Sequence, residues 1–256
     1  MKTVSHMLAA VTALICLGAG ATAHAGKIVV ANDEWTLSDS YFAAPNDPAK
    51  FATNVTSWFN NGVTGDYLAY STNFGLTGTN LRNAITGAGN TWTVSTASTF
   101  NLSTLSAYDG VFLAGNPVDN SVLIDYVNAG GNVYIAGGTG WGGPVAEANQ
   151  WNTFLNNFGL GFGTAYNGVG GNIAINSTHP IFNGVDSLYQ NNGNDALDLY
   201  STDPKGQIIL SANGHGLYAV YDSGPAPVPE PGTMMLLGIG MLGMAVYGKR
   251  RMNRET

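Results

Sequence analysis

The chain has 256 residues, only 10% of them charged, and a formal net charge of −7. Outside its two ends it keeps Lys27, Lys50, Arg82 and Lys205 against fourteen acids, a net charge of −10; so acidic a surface repels a polyanion, which excludes nucleic acid as a partner. Cys16 is the only cysteine and lies in a segment expected to be removed, which excludes disulfides, thiolate catalysis and cysteine-based zinc sites from the mature protein.

Lys2 opens the chain, an apolar run follows from Met7 to about Ala19, and Ala23-His24-Ala25 places small residues just before Gly26. Basic start, short apolar stretch and A-x-A site predict a secretory signal peptide over residues 1–25, handled by the Sec translocon and signal peptidase.

Lys27 to Ala31 (KIVVA) is a β-branched run that predicts a buried strand. Asp47-Pro48 offers an N-cap with proline at the first helical position, and Phe51, Val55, Trp58 and Phe59 share one face of a helix that Gly62 ends. Asp66 to Tyr70 predicts a second strand. Asn80 to Ile85 predicts a short helix with Leu81, Ala84 and Ile85 inward, and Thr91 to Val94 a third strand. Tyr108-Asp109-Gly110 leads into a strand over Val111–Gly115. Asp119 to Ala129 follows as a helix with Val122, Leu123, Tyr126 and Val127 on one face, stopped by Gly130-Gly131. Asn132 to Ala136 predicts another buried strand, ending in the glycine-rich loop Gly137–Gly143. A helix from about Val145 to Phe158 turns Trp151, Phe154, Leu155 and Phe158 inward.

Strands alternating with helices through tight glycine turns predict βαβ units, hence a mostly parallel sheet with helices on both faces, a three-layer α/β sandwich over residues 26–222. Gln207 to Leu210 and Leu217 to Tyr221 predict an antiparallel hairpin on the sheet's edge. Residues 223–233 read as a Gly/Pro linker.

The tail has three parts: Val228-Pro229-Glu230-Pro231-Gly232-Thr233, an apolar run over 234–248, and the basic cluster Lys249-Arg250-Arg251 within the tail 249–256. The run predicts a transmembrane helix, extended by its flanks, and the positive-inside rule keeps the basic cluster cytoplasmic. Together these resemble the PEP-CTERM sorting signal of Gram-negative bacteria, with Val228, Pro229, Glu230, Pro231 and Thr233 as the motif and Lys249, Arg250 and Arg251 as the basic anchor. The resemblance implies recognition by an exosortase-type membrane protease. The chain would be held at the inner membrane before processing, then pass to the cell surface or exopolysaccharide matrix.

The stretches Tyr108–Gly115 (YDGVFLAG), Ala129–Gly131 (AGG) and His179–Val185 (HPIFNGV) resemble the class I glutamine-amidotransferase-like fold. The family's enzymes carry a nucleophilic cysteine at the turn where this chain has Gly137 and Gly138, so the resemblance implies a frame without that chemistry. Thr139 is the only hydroxyl at that turn, and no neighbouring residue in sequence offers it a base.

Asp33-Glu34-Trp35 follows the first strand, and Thr139 and Trp141 lie in the loop after Ala136, both at the end of the sheet where open α/β sheets hold ligands. With His179 they are the candidate ligand rim, acidic and aromatic. No His/Cys/Asp/Glu spacing predicts a metal site, no glycine motif predicts a phosphate or dinucleotide site, and no cofactor is expected. The reading is an exported, non-catalytic surface or matrix protein associated with exopolysaccharide. Alternatives are a glycan hydrolase using carboxylates such as Asp33 and Glu34, and a Ca2+- or glycan-binding module using the same rim.

Overall fold

Strand β1 (Lys27–Ala31) is buried along its whole length. Ile28 and Val30 point to one face of the sheet and Val29 and Ala31 to the other, so its unbroken apolar run serves two cores. The computed structural model describes residues 26–200, 202 and 205–224. The expected signal peptide, the sorting motif, the transmembrane helix over 234–248 and the basic tail lie outside the described residues. Among the described residues no helix is long and apolar enough to cross a membrane.

Strands β2 (Asp66–Ala69), β3 (Thr91–Val94), β4 (Gly110–Ala114) and β5 (Asn132–Ala136) lie parallel to β1. The order across the parallel part is β3-β2-β4-β5-β1. Helices α1 (Pro48–Phe59), α2 (Phe74–Thr77), α3 (Thr79–Gly87), α4 (Leu102–Leu105), α5 (Asn120–Asn128) and α6 (Pro144–Leu155) fill the crossovers and the approach to later strands.

The same alternation runs through β4 and β5. Phe112 and Tyr134 join α1 (Phe51, Val55, Phe59) and α3 (Leu81, Ile85) on one face. Val111, Leu113, Val133 and Ile135 join α5 (Leu123, Tyr126, Val127) and α6 (Trp151, Phe154, Leu155) on the other. Each large apolar side chain so buried contributes about 1.5–3 kcal/mol relative to exposure. The expected three-layer α/β arrangement is therefore present.

The chain after α6 continues as β6 (Leu160–Tyr166), β7 (Gly170–Ala174), β8 (Ser187–Asn191) and β9 (Asn194–Asp198). These form two small antiparallel sheets, β6 with β9 and β7 with β8. Sequence patterning missed all four. They are rich in Gly and Asn and hold few β-branched residues, so they lack the signature that betrays a strand.

Strands β10 (Gly206–Ala212) and β11 (His215–Asp222) form the expected hairpin. β11 pairs antiparallel with β1, and β10 is the edge. Asn213 and Gly214 turn it with φ of 52° and 83°, the left-handed pair that an Asn-Gly hairpin turn requires. His215 opens β11 and pairs with Asp195 at 3.0 Å. Asp47 departs from expectation too. It precedes α1 without a side-chain cap, because its carboxylate accepts the Asp186 N–H at 2.8 Å. At the seam of β1, β8 and β11 the Thr36 and Tyr218 hydroxyls lie 2.9 Å apart, and Gln190 Nε2 donates to Tyr218 Oη at 2.9 Å.

Candidate functional site

From β2 the chain steps outward to β3, then reverses to β4 on the other side. Such a reversal separates two neighbouring loops and opens a crevice at the carboxyl ends of the strands. Here the crevice is about 290 Å3 and is lined by Thr72, Asn73, Gly115, Asn116, Thr139 and Trp141. The Thr72 N–H (2.8 Å) and hydroxyl (3.1 Å) donate to Asn116 Oδ1, joining the loops after β2 and β4. Two larger concavities, about 720 and 340 Å3, lie at the opposite end of the sheet.

Behind the crevice three acids are shut away from solvent: Asp33 is 0% exposed, Glu34 7% and Glu147 1%. Asp33 uses both oxygens on backbone, accepting the Trp35 N–H and the Asn191 N–H, each at 2.7 Å. It thereby ties the turn after β1 to the end of β8. Glu34 accepts from Asn73 Nδ2, while Asn73 Oδ1 caps α2 through the Gly75 N–H at 2.8 Å. A Cβ on Gly75 would come within 2.2 Å of the Glu34 carbonyl oxygen, so α2 rests on the backbone of Glu34. Glu147, in the first turn of α6, accepts both the Thr139 N–H at 2.7 Å and the Thr139 hydroxyl.

The loop after β5 is held just as closely. Gly138, at φ 64°, donates its N–H to Asn194 Oδ1 at 3.2 Å. A Cβ on Gly193 would meet the Asn32 carbonyl oxygen at 1.8 Å. No side chain fits where these backbones cross.

Burial sets the titration of the three acids. It pushes Asp33 up to about 6, although two backbone N–H groups and the repulsion of Glu147 also act, the former downward and the latter upward. Burial likewise pushes Glu34 up to about 7, opposed by donation from Asn73 and reinforced by the charges of Asp33 and Glu147. Glu147 is raised by burial, against the two donations from Thr139. Both amide atoms of Asn32 are shielded nearby without a hydrogen-bond partner. Burial and the nearby Glu147 charge raise the Tyr166 phenol. These acids do not converge as a cation cage. Among the described residues no group of three His, Cys, Asp or Glu could hold a metal ion.

The structure thus brings Asp33, Glu34, Thr139 and Trp141 to one end of the sheet, with Trp35 beside them. It corrects the character of the rim: Asp33 and Glu34 are interior braces, and Trp141, 44% exposed, is the residue presented to solvent. It also corrects the place of His179. That ring lies 5.2 Å from Trp58 at the far end, where Trp58 O accepts from the Lys27 ammonium at the start of β1. His179 Nδ1 accepts the Ile181 N–H at 3.4 Å, and burial lowers its pKa.

Sequence reasoning found no base beside Thr139 because Glu147 is eight residues away across the glycine loop. The available signal was an acid one turn into a helix that opens at Gly143-Pro144. Asn73 was missed in the same way, being linked to Glu34 only through the fold.

Beyond the described residues lie Val228-Pro229-Glu230-Pro231-Gly232-Thr233, the apolar run and Lys249-Arg250-Arg251. Residues 227–251 match the PEP-CTERM protein-sorting motif. This motif is recognised by an exosortase, a membrane protease, and marks an exported protein anchored through its C-terminal tail before processing. The chain matches no curated protein and no solved structure.

Proposed function

We propose that this sorted protein ends at the cell surface or in the extracellular matrix, where its α/β domain binds a neutral polysaccharide without turning it over. The observation that carries this reading is the lining of the crevice. It offers hydroxyls (Thr72, Thr139), amides (Asn73, Asn116) and one exposed indole (Trp141), and no ionisable side chain. Neutral hydroxyl-bearing ligands exchange water for such amides and hydroxyls, and a sugar's C–H face packs on an indole. A volume near 290 Å3 lies at the small end of the ~300–1,000 Å3 range of ligand sites.

Absence of catalysis is supported by Gly137 and Gly138 at the turn after β5, by the lack of any cysteine after Cys16, and by internal use of the carboxylates. The parallel sheet with helices on both faces agrees with a glutamine-amidotransferase-like frame stripped of its nucleophile. The hydrolase alternative has one observation in its favour, the raised pKa of Glu34, which supplies a protonated acid near neutrality.

Sorting is tested by the location and intact mass of the mature chain, with and without a scrambled Val228–Thr233. Release of the wild type without its apolar segment, and retention of the variant at full length, is the expected result. Glycan binding is tested by electrophoretic retardation in gels carrying neutral soluble glucans. Trp141→Ala should abolish the retardation. Release of sugar fragments that stops in Glu34→Gln would transfer the reading to the hydrolase.

A further inference from the structure

Four aromatic rings continue from the crevice across the turns after β1. Asn73 lines the crevice, and its chain neighbour Phe74 is 43% exposed. Phe74 packs edge-to-face on Trp35 at 4.7 Å, Trp35 packs edge-to-face on Tyr41 at 5.9 Å, and Tyr41 stacks on Tyr189 of β8. Trp35, Tyr41 and Tyr189 are each half-buried, with part of the ring in solvent. A core needs no such row at its surface. Soluble proteins bury aromatic rings for their apolar area, and a contiguous line of them left partly open marks a binding surface.

We infer that the crevice is one end of an extended site, and that its ligand is a twisted neutral glucan chain lying along Phe74, Trp35 and Tyr41 rather than a single sugar. This rests on the glycan reading of the crevice and adds the ligand's length and shape. Length follows from the row itself, since one sugar ring covers one aromatic ring. Shape follows from the angles. Trp35 is turned 65° from Phe74 and 68° from Tyr41, so the three rings cannot form one flat platform. A flat β-1,4-linked ribbon presents its faces in parallel planes and cannot meet Trp35 and either of its neighbours squarely at once. A β-1,3- or α-1,4-linked chain turns from residue to residue and can meet successive tilted rings.

The test is calorimetric titration of the full chain, purified in a detergent without a sugar headgroup, with β-1,3-, α-1,4- and β-1,4-linked glucose oligomers from dimer to hexamer. One of the two twisted hexamers should bind about tenfold tighter than its dimer, the scale of one to two added ring contacts. Phe74→Ala, and separately Tyr41→Leu, should erase that length dependence and leave dimer binding unchanged; Trp141→Ala should remove binding at all lengths. Equal affinity for dimer and hexamer, an unchanged hexamer affinity in both row variants, or preference for the β-1,4 hexamer overturns the extended twisted site while leaving the crevice. No binding of any oligomer by the wild type overturns the glycan reading itself.

Discussion

Replacing Glu34 by glutamine keeps the shape of the side chain and its ability to accept from Asn73 Nδ2, and removes one buried ionisation. Burial holds the Glu34 carboxyl up to about 7, against 4.5 for the ordinary group. The folded chain therefore keeps a proton that the unfolded chain releases between pH 4.5 and about 7. The stability tied to this proton is complete below the unfolded value and is lost as pH rises through the folded one. At 1.36 kcal/mol per pKa unit, that rise corresponds to at most ~3 kcal/mol. Relaxation of the surroundings around the charged form reduces the expected effect to about 1–2 kcal/mol. Urea denaturation at about pH 5 and about pH 8 measures it. The wild type should lose stability over this interval. Glu34→Gln should lose less, and should be the more stable protein at about pH 8 by about 1–2 kcal/mol. Asp33, pushed up to about 6, adds a slope of the same sign in both proteins. Parallel pH curves, or a variant weaker than wild type at about pH 8, would refute the reasoning.

Thr139→Val removes the hydroxyl donor to the buried Glu147 carboxylate and should cost about 1–3 kcal/mol in denaturant unfolding, while Thr139→Ser should stay close to wild type. Tyr218→Phe takes away the oxygen that lies 2.9 Å from both the Thr36 hydroxyl and Gln190 Nε2, and should lower stability by about 1–2 kcal/mol by the same assay. Gly193→Ala places a methyl where the Asn32 carbonyl already sits, at 1.8 Å, and should destabilise by about 1–3 kcal/mol or more, visible as a lowered melting temperature. Trp141→Ala, at an exposed position, should leave the melting temperature within about 2 °C of wild type. A large drop there would show that the indole serves the fold instead of a ligand.

Much of the fold could be read from local pattern. The runs at β1, β4 and β5 are apolar without interruption because both faces of a parallel sheet are covered, and helices α1, α5 and α6 show one apolar face because one face is buried. The runs Gln207–Leu210 and Leu217–Tyr221 marked the hairpin, and the structure turns it at Asn213-Gly214 with two positive φ angles. The sorting tail is legible because motif, apolar run and basic cluster follow one another in a single stretch of chain.

The candidate site was legible only in fragments. Asp33, Glu34, Thr139 and Trp141 could be placed at the carboxyl end of the sheet, because a strand's direction follows from the chain. Whether two loops face one another depends on strand order, and only the tertiary structure put the reversal between β2 and β4. It also joined Asn73 to Glu34 and Glu147 to Thr139, drew the Gly- and Asn-rich strands β6 to β9 into pairs, and left His179 beside Trp58 at the other end. Burial on a regular period is written into the sequence locally; hydrogen bonds between residues distant in the chain, and the pKa shifts they accompany, exist only after the chain has folded.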